Sequence, residues 1–249
     1  MKVPFIDLKK RYLDESKDLK LIINRILKSG NLIGSNDVSE FEKNISEFLN
    51  KKFCISMNSG TDALMLALHS LNIKKGDEVI TTPISFIATI GAIIHVGAKP
   101  VLVDVDESMN IDIGLIKKAI TKKTKAIIPV HWSGRMCDMK KIYDIAKNKN
   151  IVVIEDAAQA IGSTFHGNRP GKYSDIATFS AHPLKILNAI GDGGFLVTDN
   201  KNVYNFINKY KNHGLVGRDN VEIFGVNSRL DSINAGVLSY RLKKMNQII

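Results

Sequence analysis

Cysteine is scarce in this chain of 249 residues, and the two present, Cys54 and Cys137, are far apart and fit no metal-ligand spacing. That usage points to a reduced, cytoplasmic setting. No H-E-x-x-H, paired-cysteine or EF-hand pattern occurs, which counts against a metalloenzyme. Neither a Walker A loop nor a G-x-G-x-x-G after a strand is present, which disfavours P-loop and dinucleotide-dependent oxidoreductase chemistry. Gly162-Ser163 lies in no G-x-S-x-G elbow, which argues against an α/β-hydrolase. No apolar run reaches membrane-spanning length, and Met1 to Asp7 lacks the long apolar core of a signal peptide. Acidic residues are the minority, 25 against 35 basic, for a net charge of +10. The lysines are scattered in pairs such as Lys117-Lys118, Lys122-Lys123 and Lys140-Lys141, and no aromatic-rich basic stripe accompanies them. They read as solvated helix faces rather than a nucleic-acid surface, with a modest positive field that favours phosphate-bearing ligands.

What is present is alternation. Apolar residues recur at helical spacing through residues 14–28 and 38–49, and a strongly apolar helix opens at Thr61 or Asp62 and runs to Leu71. Short strand-like runs follow: Glu78 to Thr82, Lys99 to Asp104, Ala126 to Val130, Ile151 to Asp156, Ile176 to Phe179 and Gly194 to Thr198. Helical stretches separate most of them, near 86–95, 112–120, 138–148 and 201–211. The pattern predicts an α/β fold with a mostly parallel sheet covered by helices on both faces. Ligands of such sheets gather beyond the carboxyl ends of the strands, where Asp156 falls. The last stretch, with Leu230, Ile233, Val237, Leu238 and Leu242, reads as a helix without a stop signal.

Several positions carry chemistry, each with a plainer alternative. Asn58 to Leu64 sits between a short strand and a helix, so its free N–H groups, the Ser59 and Thr61 hydroxyls and the small Gly60 form an anion cradle. Taken alone, the segment reads better as an ordinary Ser/Thr helix cap. Phe86 follows a strand end and suits stacking on a planar ring, or simply burial in the core. Asp156 closes a buried strand, where a carboxylate needs a partner. A protonated pyridine nitrogen would serve, or Asp156 caps a helix continuing through Ala157 to Ile161. Gln159, one turn on, is placed to reach a ring hydroxyl. Lys185, flanked by Ser180, His182, Pro183, Leu187 and Ile190, reads as a desolvated nucleophilic amine rather than a surface lysine. His182 reads as structural. A lysine amine and an acid at the end of a buried strand form the pair that pyridoxal phosphate (PLP) requires.

The order of these motifs resembles the sugar aminotransferases of the DegT/DnrJ/EryC1/StrS family, PLP enzymes of fold type I. The resemblance runs through Val3-Pro-Phe-Ile-Asp7, Gly34 to Glu42, Ser59-Gly-Thr-Asp-Ala-Leu64, Glu155-Asp-Ala-Ala-Gln159, Phe179 to Lys185, Gly191-Asp-Gly-Gly194 and Gly225 to Asn234. It implies that Lys185 is the Schiff-base lysine and proton carrier, Asp156 the partner of the pyridine nitrogen, Gln159 that of the phenolic oxygen, and Phe86 the stacking ring. Gly60, Thr61 and Ser180 would hold the phosphate. Asn227 would reach the phosphate of a neighbouring subunit's cofactor, which makes the active unit a homodimer. The implied reaction moves an amino group from an amino acid, usually glutamate, to a nucleotide-linked keto-sugar, for amino sugars of surface polysaccharides or glycosylated metabolites. The resemblance also sets an expectation on domains: residues 1–249 form an N-terminal segment and the large PLP-binding domain, with the small C-terminal domain largely absent. Two rivals stand beside it. A sugar dehydratase of the family has histidine in place of the lysine, and a non-catalytic regulatory protein would have no use for the lysine at all.

Overall fold

The computed structural model of the chain describes Pro4 and residues 6–248, with the side chain of Ile248 left out. Val3 and Phe5 of the N-terminal motif therefore lie outside the described residues. Asp7 caps the first helix, α1 (Leu8–Ser29), by accepting from the Lys10 N–H, so the helix begins well before the apolar period at residue 14. It stops at Gly30, whose φ of 69° is left-handed. Helix α2 (Asn36–Leu49) follows, capped by Ser35.

The chain then enters the sheet. In order come β1 (Phe53–Met57), α3 (Gly60–Ser70), β2 (Glu78–Thr81), α4 (Ile87–His95), β3 (Lys99–Leu102) and α5 (Ile113–Ala119). They are followed by β4 (Thr124–Ile127), α6 (Met139–Lys147), β5 (Val152–Asp156), β6 (Ile176–Ser180), β7 (Gly194–Thr198) and α7 (Lys201–Tyr210). A small hairpin of β8 (Leu215–Val216) and β9 (Asn220–Val221) precedes α8 (Ser232–Lys243) and the short α9 (Met245–Ile248). From Ile233 on, the terminal apolar stripe thus belongs to a helix that stops at Lys243; Val237 and Leu238 in it are fully buried, as is Leu230 just before it. The segment after Asp156 forms a turn closed by Ala160 N–H to the Ala157 carbonyl, not the helix that its residues permit.

Seven strands form one sheet in the order β1-β7-β6-β5-β4-β2-β3. All neighbours are parallel except β7, which runs antiparallel to both β1 and β6. Successive strand residues face opposite sides, so each strand serves two cores. Ile55, Met57, Ile154, Ile176 and Leu196 pack under α3, α4 and α7, while Cys54, Ala177, Phe179, Phe195 and Val197 pack under α2 and α8. A third cluster, with Ile80, Ile127 and Val153, sits against α5 and α6. The result is a parallel-rich sheet between helical layers, and among the described residues no helix is long and apolar enough to cross a membrane.

One junction governs where ligands can sit. In register, Met57 at the end of β1 pairs with Gly194 at the start of β7, which pairs with Ser180 at the end of β6. The first turn of α3 presses onto this junction. A Cβ at Gly60 would lie 2.8 Å from the Ser180 Cβ, and one at Gly194 would lie 2.3 Å from the Ser59 carbonyl carbon. Both sites require glycine because backbone approaches backbone there.

Two outcomes follow from this packing. Gly194→Ala lowers the urea midpoint and displaces the start of α3, seen as lost amide-exchange protection at residues 63–66, whereas Gly91→Ala, inside α4 with open space around it, leaves that protection intact and raises the midpoint slightly. Phe41 is fully buried and meets Phe195 edge-on at 5.6 Å, tying α2 to β7. Phe41→Ala costs about 3–5 kcal/mol in equilibrium unfolding.

Candidate active site

Gly60, Thr61, Phe86, Asp156, Gln159, Ser180 and Lys185 line a single cavity of about 480 Å³ at the carboxyl ends of the parallel strands. Asn227 does not line it. It is exposed, next to Ser228, whose hydroxyl bonds to Asp62 at 2.6 Å and to Asn58.

The cradle is built at the start of α3. Ser59 caps the helix through its side chain, which accepts from the Asp62 N–H at 3.0 Å. The cap therefore uses the Ser59 hydroxyl and leaves the N–H groups of the first turn facing the cavity, beside the Ser180 hydroxyl. The capping reading of this segment is therefore met by the Ser59 hydroxyl, while Gly60 and Thr61 line the cavity.

Asp156 ends β5 and is 6% exposed. Its Oδ2 accepts from the Thr89 hydroxyl at 2.7 Å and its Oδ1 from the Ala158 N–H at 3.2 Å. These two donors hold the carboxylate facing the cavity without neutralising it. Ser85 and Thr89, one turn apart at the start of α4, share a hydrogen bond of 2.5 Å, so this helix orients the acid. Phe86 between them is 69% exposed, and it is therefore not a core residue.

Gln159 accepts from the Ser133 N–H at 2.8 Å through Oε1, which leaves its amide N–H groups to donate into the cavity. Behind these residues lies a buried polar network. Glu155 accepts from Gly171 N–H at 2.8 Å and from the Ser174 hydroxyl at 2.6 Å, and it meets the His131 Nε2 at 2.7 Å. The Cys137 N–H donates to His131 Nδ1, which fixes the ring proton on Nε2, where it is donated to Glu155. The His131 N–H in turn donates to the Asp156 carbonyl. Thr89 and His131 had no motif to mark them. The only cue was two hydroxyls one turn apart after a strand end, and a histidine just past an apolar run.

Lys185 lies in the loop from β6 to β7, residues 181–193, which has neither helix nor strand. Its side chain is half-buried, and burial lowers its pKa while the charge of Asp156 works in the opposite direction. The amine is thus easier to deprotonate than an ordinary lysine, as a nucleophile needs. His182 is exposed and its Nδ1 accepts from the Leu184 N–H at 3.2 Å, so it shapes the turn.

This donor set fits PLP. A helix N-terminus that opens on Gly60, with Gly194 of β7 packed against it, suits a phosphate, a pinned carboxylate suits a pyridinium, and an amide donor suits a phenolate. A half-buried amine completes the set. The family model "DegT/DnrJ/EryC1/StrS aminotransferase family" matches residues 14–249. The chain is 39% identical over 242 residues to a UDP-2-acetamido-2-deoxy-3-oxo-D-glucuronate aminotransferase of Pseudomonas aeruginosa, covering 97% of this chain and 67% of that protein. It is also 39% identical to a pleiotropic regulatory protein of Geobacillus stearothermophilus, over 99% of this chain and 67% of that one. Its backbone superposes on the crystal structure of S. venezuelae DesV in complex with a ketimine intermediate, with a TM-score of 0.96 and 37% identity. The match covers 99% of this chain and 67% of that structure. The chain therefore spans about two thirds of the length of these relatives. With its fold, its cavity and its sequence in agreement, the chain belongs to the DegT/DnrJ/EryC1/StrS aminotransferase family.

Proposed function

We propose that this chain carries the cofactor-binding part of a PLP-dependent aminotransferase that moves an amino group from an amino acid, L-glutamate, to the ketone of a nucleotide-linked keto-sugar. The observation that carries the reading is the meeting of a half-buried lysine, a pinned carboxylate and a helix N-terminus in one cavity. The names of the relatives supply the substrate class: UDP- and dTDP-linked sugars. The regulatory reading rests on the names of relatives, a pleiotropic regulatory protein and an erythromycin biosynthesis sensory transduction protein, and a dehydratase of the family would have histidine at the place of Lys185.

When bound, PLP supplies an aldehyde carbon to receive the amino group and a ring to accept electron density. Asp156 keeps the ring nitrogen protonated by placing a carboxylate beside it, while Thr89 and the Ala158 N–H fix the direction of that carboxylate. Gln159 would donate to the ring oxygen, the N–H groups of Gly60 and Thr61 and the Ser180 hydroxyl would hold the phosphate, and Phe86 would cover the ring face. Lys185 Nζ would hold the aldehyde carbon and, as a free amine, would carry the proton between the donor's Cα and the reacting carbon, in opposite directions in the two half-reactions. The amino acid leaves as its 2-oxo acid and the keto-sugar as an amine, so oxidation and reduction balance. Asn227, exposed and outside its own cavity, reaches the partner's phosphate in a homodimer.

Lys185→Ala abolishes the visible absorbance band that the wild-type protein gains with PLP, and it lowers amino transfer about 10²–10⁴-fold. A mutant that keeps the band removes Lys185 from the reaction. A wild-type protein that forms the band but is not bleached by glutamate retains PLP binding and loses the donor assignment.

The rate at which the cofactor-free protein captures PLP covalently rises with pH as Lys185 loses its proton. Its midpoint lies below the ordinary lysine value of about 10.4. The sign for Asp156 follows: its charge raises the Lys185 pKa, so Asp156→Asn moves that midpoint further down. A midpoint that stays put or moves up contradicts the electrostatic coupling between the two.

A further inference from the structure

The loop that carries Lys185 has no secondary structure, yet Lys185 must meet an atom placed by four other elements. Its tethers to β6 and β7 are short: Ala189 N–H to the Ala181 carbonyl at 2.7 Å and Ala181 N–H to the Gly193 carbonyl at 2.8 Å. Between these ties, the loop is held by α8. Arg241 Nη1 donates to the Asn188 carbonyl at 2.6 Å, to Asn188 Oδ1 at 3.1 Å and to the Ala189 carbonyl at 3.3 Å. Asn188 passes the constraint back by donating to the Pro183 carbonyl at 2.6 Å, so Lys185 lies inside a closed ring of hydrogen bonds. Asn234 holds the other end, accepting from the Ile190 N–H at 3.0 Å and donating to the Asp192 carbonyl at 3.4 Å. Residues 234 and 241 are seven apart, two helical turns and one face of α8, about 10.5 Å along the axis.

Arg241 is only 4% exposed, and its charge is met by Glu15 of α1, with Nη2 to Oε2 at 2.5 Å and Nε to Oε2 at 3.0 Å. A buried ion pair of this kind is a poor way to gain stability, since an apolar pair of similar volume serves as well or better. What an arginine provides and a methionine cannot is a fork of donors fixing several oxygens at once. All the oxygens in this fork apart from that of Glu15 belong to residues three and four positions after Lys185.

We propose that Arg241, held by Glu15, and Asn234 are positioning residues that aim the Lys185 amine at the aldehyde carbon of PLP. The inference rests on the reading of Lys185 as the lysine that bonds PLP. Capture forms a C–N bond between Nζ and the aldehyde carbon and releases water. The phosphate cradle and Asp156 bind the cofactor independently of α8, so loss of the latch separates binding from bonding.

The test measures both on one sample. Protein saturated with PLP is treated with borohydride, and the fraction of bound cofactor fixed to the Lys185 peptide is read by mass spectrometry, beside total bound PLP and the thermal midpoint. In Arg241→Met the fixed fraction at short trapping times falls about 10- to 100-fold while PLP remains bound. Arg241→Lys, which restores charge but not the fork, recovers part of it. Asn234→Ala gives a smaller loss in the same direction, about threefold. If Arg241→Met folds and its fixed fraction equals that of wild type, the residue is merely structural and the proposal is overturned. If Arg241→Met does not fold, Asn234→Ala decides: an unchanged fraction overturns the proposal and the expected loss supports it. A wild-type protein that fixes no PLP on Lys185 fails the functional reading itself, a different outcome from wild-type fixation that the variants do not alter.

Discussion

The close approach of the first turn of α3 to the β6–β7 junction is the constraint on which the site depends. Two chain segments occupy space that a single methyl group at residue 60 or 194 would fill. The approach sets the helix N-terminus beside Ser180, and so places an anion-binding end of a helix next to the strand that leads to Lys185. β7 runs antiparallel between β1 and β6, which brings its first residue, Gly194, beneath that turn. The irregular loop of residues 181–193 is a consequence. The chain must turn back from the end of β6 to a neighbouring strand that begins at the same edge.

A parallel strand end leaves polar groups in need of partners, and here buried side chains supply them. Glu155 and Asp156 are adjacent in β5 and point to opposite faces. Glu155 is saturated by Gly171, Ser174 and His131. Asp156 receives only the Thr89 hydroxyl and one N–H. The first carboxylate is a structural fastener, and the second keeps its capacity to pair with a cation. Their division of labour comes from which side of the sheet each faces, since the two residue types are nearly alike.

The sheet was legible in the sequence because its signal is local. Runs such as Val152 to Ile154 and Phe195 to Val197 are apolar on both faces, as strands covered on both sides must be, and the helices between them keep their period. Lys185, Asp156 and the 58–64 segment were legible for a related reason: each is a polar residue or cluster at a place where an apolar run ends. The rest of the site is made of long-range partners. Arg241 meets Glu15 across the length of the chain and meets Asn188 from a helix whose own pattern is apolar. Nothing around residue 241 marks it, because a lysine-rich helix end is ordinary on any surface. The turn after Asp156 was misleading for the opposite reason. Ala157 to Ile161 has good helix formers, but the Thr178 carbonyl takes the Ala157 N–H, and the strand pairing carried past β5 overrides local propensity.

The electrostatics of the lysine join these features. Burial alone makes an amine a better nucleophile by favouring its neutral form, but a carboxylate nearby opposes that. Thr89 and the Ala158 N–H withdraw part of the carboxylate's charge into hydrogen bonds, and the carboxylate lines the cavity shared with Lys185. A cation paired with Asp156 would weaken that opposition further, so the acid that favours the charged amine is also the group the cavity offers to a positively charged ligand.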